Sequence, residues 1–190
     1  IAVGENPIDY ARIAVYVDGK RVVDEMIDCA EKEITVIDCT ESAKSVVEII
    51  KLSESPMSAV GIEAFAEGSA EALPENPLKI EFIGDSITCG YGVDDEDENH
   101  QFTTATEDVT KAYAYKTAKA LDAEYSMFSA SGYGIVSGYT EGDEPISEQT
   151  IPQFYCSYGF SRGNFAGTAP QDIPWDFSKY VPQIIVINLG

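Results

Sequence analysis

Gly84-Asp85-Ser86 closes a short apolar run (Ile80, Phe82, Ile83), and this is where the chain could begin a chemical step. A buried strand that stops at a turn delivers its next side chains to the mouth of an α/β sheet, where ligands sit. A serine hydroxyl is a weak nucleophile until a base takes its proton and donors receive the oxyanion. The turn over residues 84–87 can aim backbone N–H groups into the space of Ser86 Oγ. A second strand-like run, residues 123–129, leads into Ser129-Ala130-Ser131-Gly132-Tyr133-Gly134. Gly132 has no side chain to shield its N–H, so it can bring a second donor to the same pocket. Spacing alone leaves a plainer reading open: a turn in which Asp85 and Ser86 make local hydrogen bonds.

The other chemistry-bearing residues do not complete such a site. The one histidine, His100, follows Asp94-Asp95-Glu96-Asp97-Glu98-Asn99 and reads as a solvated loop residue. That acid run lacks the turning glycine of a calcium loop and reads as a solvated charged loop. Gly159-Phe160-Ser161-Arg162-Gly163 has the G-x-S-x-G pattern, but the stretch after it, rich in Gly and Pro, cannot form the required helix. Gly132-x-Gly134 lacks the third glycine of a nucleotide loop. Cys29, Cys39, Cys89 and Cys156 contain no C-x-x-C pair, which argues against a zinc site. Cys29 and Cys39 could face each other on neighbouring strands as a disulfide, or remain two buried thiols. The loop aromatics Tyr133, Tyr139, Phe154, Tyr155, Tyr158, Phe160, Phe165 and Trp175 could stack on sugar rings or pack the interior.

The elements that must position Ser86 fall into two groups. Ile13, Val15 and Val17 alternate with Arg12, Ala14 and Tyr16, the period of a half-buried strand, and Asp18-Gly19 supplies a hairpin turn. Strand-like runs follow at 21–27, 33–39, 45–52 and 60–66, and their spacing predicts a β-sandwich or jelly roll. Residues 67–77, with two prolines, a glycine and several acids, read as a linker. The boundary is placed near Asn76, giving domains of 1–76, incomplete at its start, and 77–190. Beyond it come a strand at 78–83, a helix at 107–121 with Thr104 and Glu107 as its capping box, and a strand at 123–129. Long loops with one short helix near 146–154 precede a wholly apolar, buried strand at 183–189. Strand, helix, strand, connection, strand predicts a parallel sheet flanked by helices.

Composition narrows the partners. In 190 residues, 33 acidic against 12 basic side chains give a net charge of −21, which disfavours nucleic acid and anionic membranes. No apolar run approaches the roughly 18 residues of a membrane span. The chain starts at Ile1, so a preceding segment is expected to have been removed or left out.

Ile83-Gly84-Asp85-Ser86-Ile87-Thr88-Cys89-Gly90-Tyr91-Gly92 resembles the first block of the SGNH (GDSL-type) hydrolases, and is most similar to carbohydrate esterase family two. Ser129 to Gly134 resembles the second block, in which the glycine matched by Gly132 gives an oxyanion N–H. Trp175-Asp176-Phe177, followed by residues 182–190, resembles the approach to the third block, which starts at the glycine matched by Gly190. The resemblance implies an α/β fold with an N-terminal jelly roll and a three-layer α/β/α hydrolase domain, present here without its C-terminal part. It implies a secreted or cell-surface bacterial esterase that removes O-acetyl groups from polysaccharide or oligosaccharide through an acyl-enzyme on Ser86. It implies Ser86 and Gly132 as oxyanion donors, and no metal or organic cofactor. The family's oxyanion asparagine and its late histidine have no match in these residues. The rest of the same polypeptide, or a second chain, is expected to complete the site. The competing expectations are a non-catalytic carbohydrate-binding protein on the same scaffold and an SGNH lipase or thioesterase.

Overall fold

The structure is a computed structural model that describes residues 1–5, 7–38, 44–65 and 69–190. Its N-terminal half is antiparallel. β1 (Ala2–Val3) is followed by β2 (Ala11–Val17), β3 (Lys20–Ile27), β4 (Val47–Lys51) and β5 (Val60–Gly61). One sheet has the order β3-β2-β4, and β1 pairs with β5 in a second. The β2–β3 hairpin turns on Asp18 (φ 49°) and Gly19 (φ 80°), so that Val17 opposes Lys20. Two consecutive positive φ values give a turn whose twist matches that of the strands it joins.

β2 departs from the half-buried expectation. Ala11, Ile13 and Val15 pack with Val23 and Ile27 on one face. Ala14, on the other face, is fully buried against Ile50, Leu52 and Tyr115. The C-terminal half lies on that second face, so the strand is covered on both sides. The predicted strand at 33–39 does not form over its described part: residues 33–38 join no ladder. Ile34 and Val36 still pack on the first core, so the alternation there reflects burial without a backbone partner. Cys39 lies outside the described residues. The predicted strand at 60–66 shortens to Val60–Gly61, matched to a two-residue β1.

The C-terminal half is built on a parallel sheet. β6 (Lys79–Gly84) is central, with β7 (Glu124–Ser129) and β8 (Ile184–Asn188) on either side. α1 (Ser86–Cys89) is a single turn directly after β6, and α2 (Tyr113–Ala120) precedes β7. α2 places Ala114 and Ala118 on Ile80 and Phe82, and these small residues let the helix approach the sheet closely. Ile83 faces the other way, into a core with Ala130, Tyr133 and Ile151.

Three expectations in this half need correction. The helix at 107–121 breaks into 3₁₀ turns at Thr104–Thr106 and Val109–Lys111, then α2. Ala112 is extended there (φ −73°, ψ 160°), so helical hydrogen bonding cannot run through it. The capping box is absent: Glu107 is itself extended and fully buried, and its carboxylate is bound elsewhere. The short helix near 146–154 is one 3₁₀ turn, Ile151–Gln153. β8 forms in the expected place but is not buried, with Ile185 53% and Ile187 60% exposed. It stands at the sheet edge with one paired neighbour, and its apolar faces are largely uncovered among the described residues.

Candidate active site

The three parallel strands end in register. Gly84 of β6 lies opposite Ser129 of β7 and Asn188 of β8, and Ala130 N–H donates to Gly84 O at 3.2 Å. Ser86 comes two residues after one strand end, Gly132 three after the second, and Gly190 two after the third. One edge of the sheet therefore gathers all three sequence-predicted residues. This is the edge of carboxyl ends at which open α/β sheets bind ligands.

Local chemistry fixes the first of these ends. Asp85 is the N-cap of α1, and its Oδ1 accepts Ile87 N–H at 3.1 Å. Its Oδ2 accepts Gly190 N–H at 3.2 Å, which ties the first strand end to the third. Gly84 is required by close approach, since a Cβ there would sit 1.9 Å from Oγ1 of the fully buried Thr88. Ser86 opens the helical turn and is half-buried. The N–H groups of Ser86 and Gly132 make no hydrogen bond among the described residues, as free oxyanion donors would. Gly132 has φ 79°, a left-handed backbone that favours glycine, and its carbonyl accepts Tyr139 N–H at 2.7 Å. A Cβ on Gly134 would lie 3.0 Å from Gly190 O, so the second and third ends also touch.

His100 is not brought to this edge by any described contact. Its ring is 64% exposed, with Nδ1 2.9 Å from Asp95 Oδ1 and Nε2 3.9 Å from Asp97 Oδ2, both in its own loop. The acid run is only partly the solvated loop expected. Asp94 is an anchor, bound by Arg12 at 2.8 Å and by Lys111. Ser161 is fully buried, and its Oγ accepts Gly163 N–H at 3.1 Å. With no strand before it and no helix after it, Ser161 is a turn residue. Cys156 is an exposed free thiol, Cys89 a buried one, and Cys29 is exposed with no disulfide partner among the described residues. The proposed pairing of Cys29 with Cys39 falls outside the described residues. Among the loop aromatics, Phe154 and Phe160 stack at 4.2 Å and Tyr133 packs on both. Tyr139 and Tyr158 stay 72% and 64% exposed.

Sequence reasoning missed a buried polar cluster beneath the edge. Glu54 follows β4 and is buried; its Oε2 accepts Ser131 N–H at 2.7 Å. Glu54 N–H donates to Glu107 Oε2 at 2.8 Å. Burial and the charge of Glu54 push Glu107 up to about 8, and burial raises Glu54 and Cys89 above their ordinary values. Burial lowers the Lys51 ammonium to about 8; its Nζ donates to the carbonyl oxygens of Ser53 and Glu54 at 2.6 and 2.8 Å. A ligand atom from each of Glu54, Glu107 and Cys89 lies within 4.8 Å of the others, close enough to share a proton or to hold a metal ion. An acid in a polar break, and another at an apparent helix start, carry no sequence signal for this. Only the packing of the two halves buries them.

No family model matches the chain. It is 38% identical over 143 residues to the cellulase/esterase CelE of Acetivibrio thermocellus, which covers 74% of this chain and 16% of that protein. It is 29% identical over 184 residues to an acetylxylan esterase / glucomannan deacetylase of Cellvibrio japonicus, covering 94% of this chain and 48% of the relative. A family two carbohydrate esterase from Clostridium thermocellum, solved with cellohexaose, superposes on 99% of the chain with TM-score 0.76 and 29% identity. This chain is a homologue of the family two carbohydrate esterases. It spans 54% of that solved esterase, and between 16% and 48% of the curated relatives named above. The acetyl xylan esterase Est2A of Butyrivibrio proteoclasticus shares the fold, with TM-score 0.80 at 21% identity over 99% of this chain and 51% of its own. Family two homology thus covers both the antiparallel half and the parallel sheet.

Proposed function

We propose that the protein to which this chain belongs is a serine esterase that removes O-acetyl groups from polysaccharide or oligosaccharide. One observation carries the reading: Ser86, with its own N–H and that of Gly132 unpaired among the described residues, at an edge where three parallel strands end in register. Ser86 Oγ attacks the acetyl carbonyl, and the two N–H groups receive the oxyanion. The C–O bond to the sugar breaks, leaving an acetyl-enzyme and a sugar hydroxyl that takes up a proton. Water then attacks the acetyl carbon, releasing acetate and restoring Ser86. The proton is carried by a histidine outside these residues, on the same polypeptide or a second chain. An asparagine beyond Gly190 is a third oxyanion donor.

The relatives' activities on acetylxylan and glucomannan support acetylated plant-type polysaccharide as the substrate class. A neutral polymer also suits a chain of net charge −21. The exposed Tyr139, whose Cβ lies 3.9 Å from the position a Gly132 Cβ would take, offers a ring for sugar stacking beside Gly132. We read residues 1–76 as a jelly-roll domain and 77–190 as part of an SGNH α/β/α domain, in a secreted or surface protein that needs no cofactor.

Acetate release from acetylxylan by the intact protein and its Ser86→Ala variant is the test. Loss of kcat by about 10³-fold or more is expected, in line with removal of a nucleophile. Full activity in Ser86→Ala would end the reading. Polysaccharide binding without measurable deacetylation would instead favour a carbohydrate-binding role.

A further inference from the structure

The N-terminal half reaches into the Gly132 loop at one point. Glu54 is only 6% exposed and spends its Oε2 on Ser131 N–H, one residue before Gly132. A charge-assisted bond of 2.7 Å to a backbone donor is strong and directional, so it fixes that peptide unit. Glu54 is itself held: Glu107, fully buried, accepts its N–H at 2.8 Å. Cys89 Sγ, at the end of α1, lies 3.9 Å from Glu54 Oε2 and 3.2 Å from Ser129 Oγ. The cluster therefore touches both strand ends, that of Ser86 through α1 and that of Gly132 through Ser131. Glu54 Oε1 and Glu107 Oε1 are buried with no partner among the described residues. Unpaired buried oxygens are costly, and a cluster retaining two of them is poorly explained by stability alone.

We propose that Glu54 is a positioning residue through which the N-terminal half sets the oxyanion loop: by holding Ser131 N–H it fixes where Gly132 N–H points, and Glu107 holds Glu54. The proposal rests on Gly132 being an oxyanion donor, as read above. It makes the antiparallel half part of the catalytic geometry rather than an appended module. It also links the loop to a proton. Facing the two carboxyl groups are Lys51 from the end of β4, Cys89 from α1 and Tyr91 just after it, while Arg12 of β2 reaches the Glu107 backbone O at 3.2 Å. When Glu107 loses its proton near pH 8, two like charges share the pocket and the Ser131 contact is strained.

The experiment is kcat and KM for an aryl acetate, from pH 5 to 10, on the intact protein and on Ser86→Ala, Glu54→Ala, Glu54→Gln and Glu107→Gln. Circular dichroism reports the folded fraction of each. Glu54→Ala is expected to lower kcat by about 10- to 100-fold with KM within about twofold, because an oxyanion donor acts on the transition state. Glu54→Gln keeps an oxygen acceptor for Ser131 N–H and is expected to recover most of that loss. Both Gln variants are expected to move the alkaline fall in kcat to higher pH. Full activity in Ser86→Ala removes the esterase reading itself. An inactive Ser86→Ala beside a folded Glu54→Ala with wild-type kcat overturns the positioning role alone. A kcat loss that only follows the folded fraction also overturns it. Should Glu54→Ala not fold, Gln variants with wild-type pH profiles overturn it.

Discussion

Asp85 does two jobs with one carboxylate, and both bear on Ser86. Oδ1 caps α1 while Oδ2 holds Gly190, so the turn that carries Ser86 and the third strand end are set by the same side chain. Asp85→Ala is expected to lower stability by about 1–2 kcal/mol in urea melts, the range for a lost N-cap. Asp85→Asn, which keeps an acceptor for Ile87 N–H, should recover much of it. Gly84 is constrained differently, by the 1.9 Å that would separate an added Cβ from Thr88 Oγ1. Thr88 is fully buried and bonded to Tyr113 OH at 3.1 Å, so it cannot yield cheaply. Gly84→Ala should therefore destabilise by about 3 kcal/mol, the upper part of the overpacking range, measurable by the same melts. Ser86 and Gly132 were legible in the sequence because both follow apolar runs broken by glycine. Glu54 was not, because nothing in Ser53-Glu54-Ser55-Pro56 separates a buried carboxylate from a solvated one.

Among the elements, those with strong local patterns formed where expected: β2, β3, β4 and the three parallel strands. The displaced start of the predicted helix has a tertiary cause. At 107–121 the apolar spacing fits a helix, yet Glu107 and Asp108 are drawn into contacts with the N-terminal half. Arg21 reaches Asp108 Oδ2 at 3.0 Å and Thr110 Oγ1 at 2.6 Å, and Val109 N–H donates to Leu52 O at 3.1 Å. These tertiary bonds hold the backbone in 3₁₀ turns and delay the α-helix to Tyr113. The short helix that remains depends on small residues against the sheet. Ala118→Leu should force it away from Ile80 and Phe82 and cost about 1–3 kcal/mol, read as a lower urea midpoint.

At the scale of the molecule, the two halves are joined by buried charge as well as apolar contact. Arg12 pairs with Asp24 and Asp94, both at 2.8 Å, and donates to the carbonyls of Ala105 and Glu107. Ala14 and Tyr115 add an apolar patch to the same junction. Glu107 gives this junction a pH dependence whose sign follows from proton counts. Unfolded, its carboxyl ionises near 4.5; folded, it keeps its proton to about 8. Between those values the folded state holds the extra proton, so stability falls as pH rises. Tm is expected to decline between about pH 5 and 8, and Glu107→Gln to flatten that decline and raise Tm at pH 8. Calorimetry across this window checks it, and a parallel decline in the variant would assign the effect to other groups.

By itself the sequence determined most of the strand pattern, the turn at Ser86 and the glycine at Gly132. Each rests on short-range chemistry: alternation, a run's abrupt end, a backbone free of Cβ. Tertiary structure decided which strand faces are covered, where the helix starts, and which acids lose their water. Desolvation depends on what packs on a residue from far along the chain, as residues 54, 107 and 131 do here, and no local spacing records it.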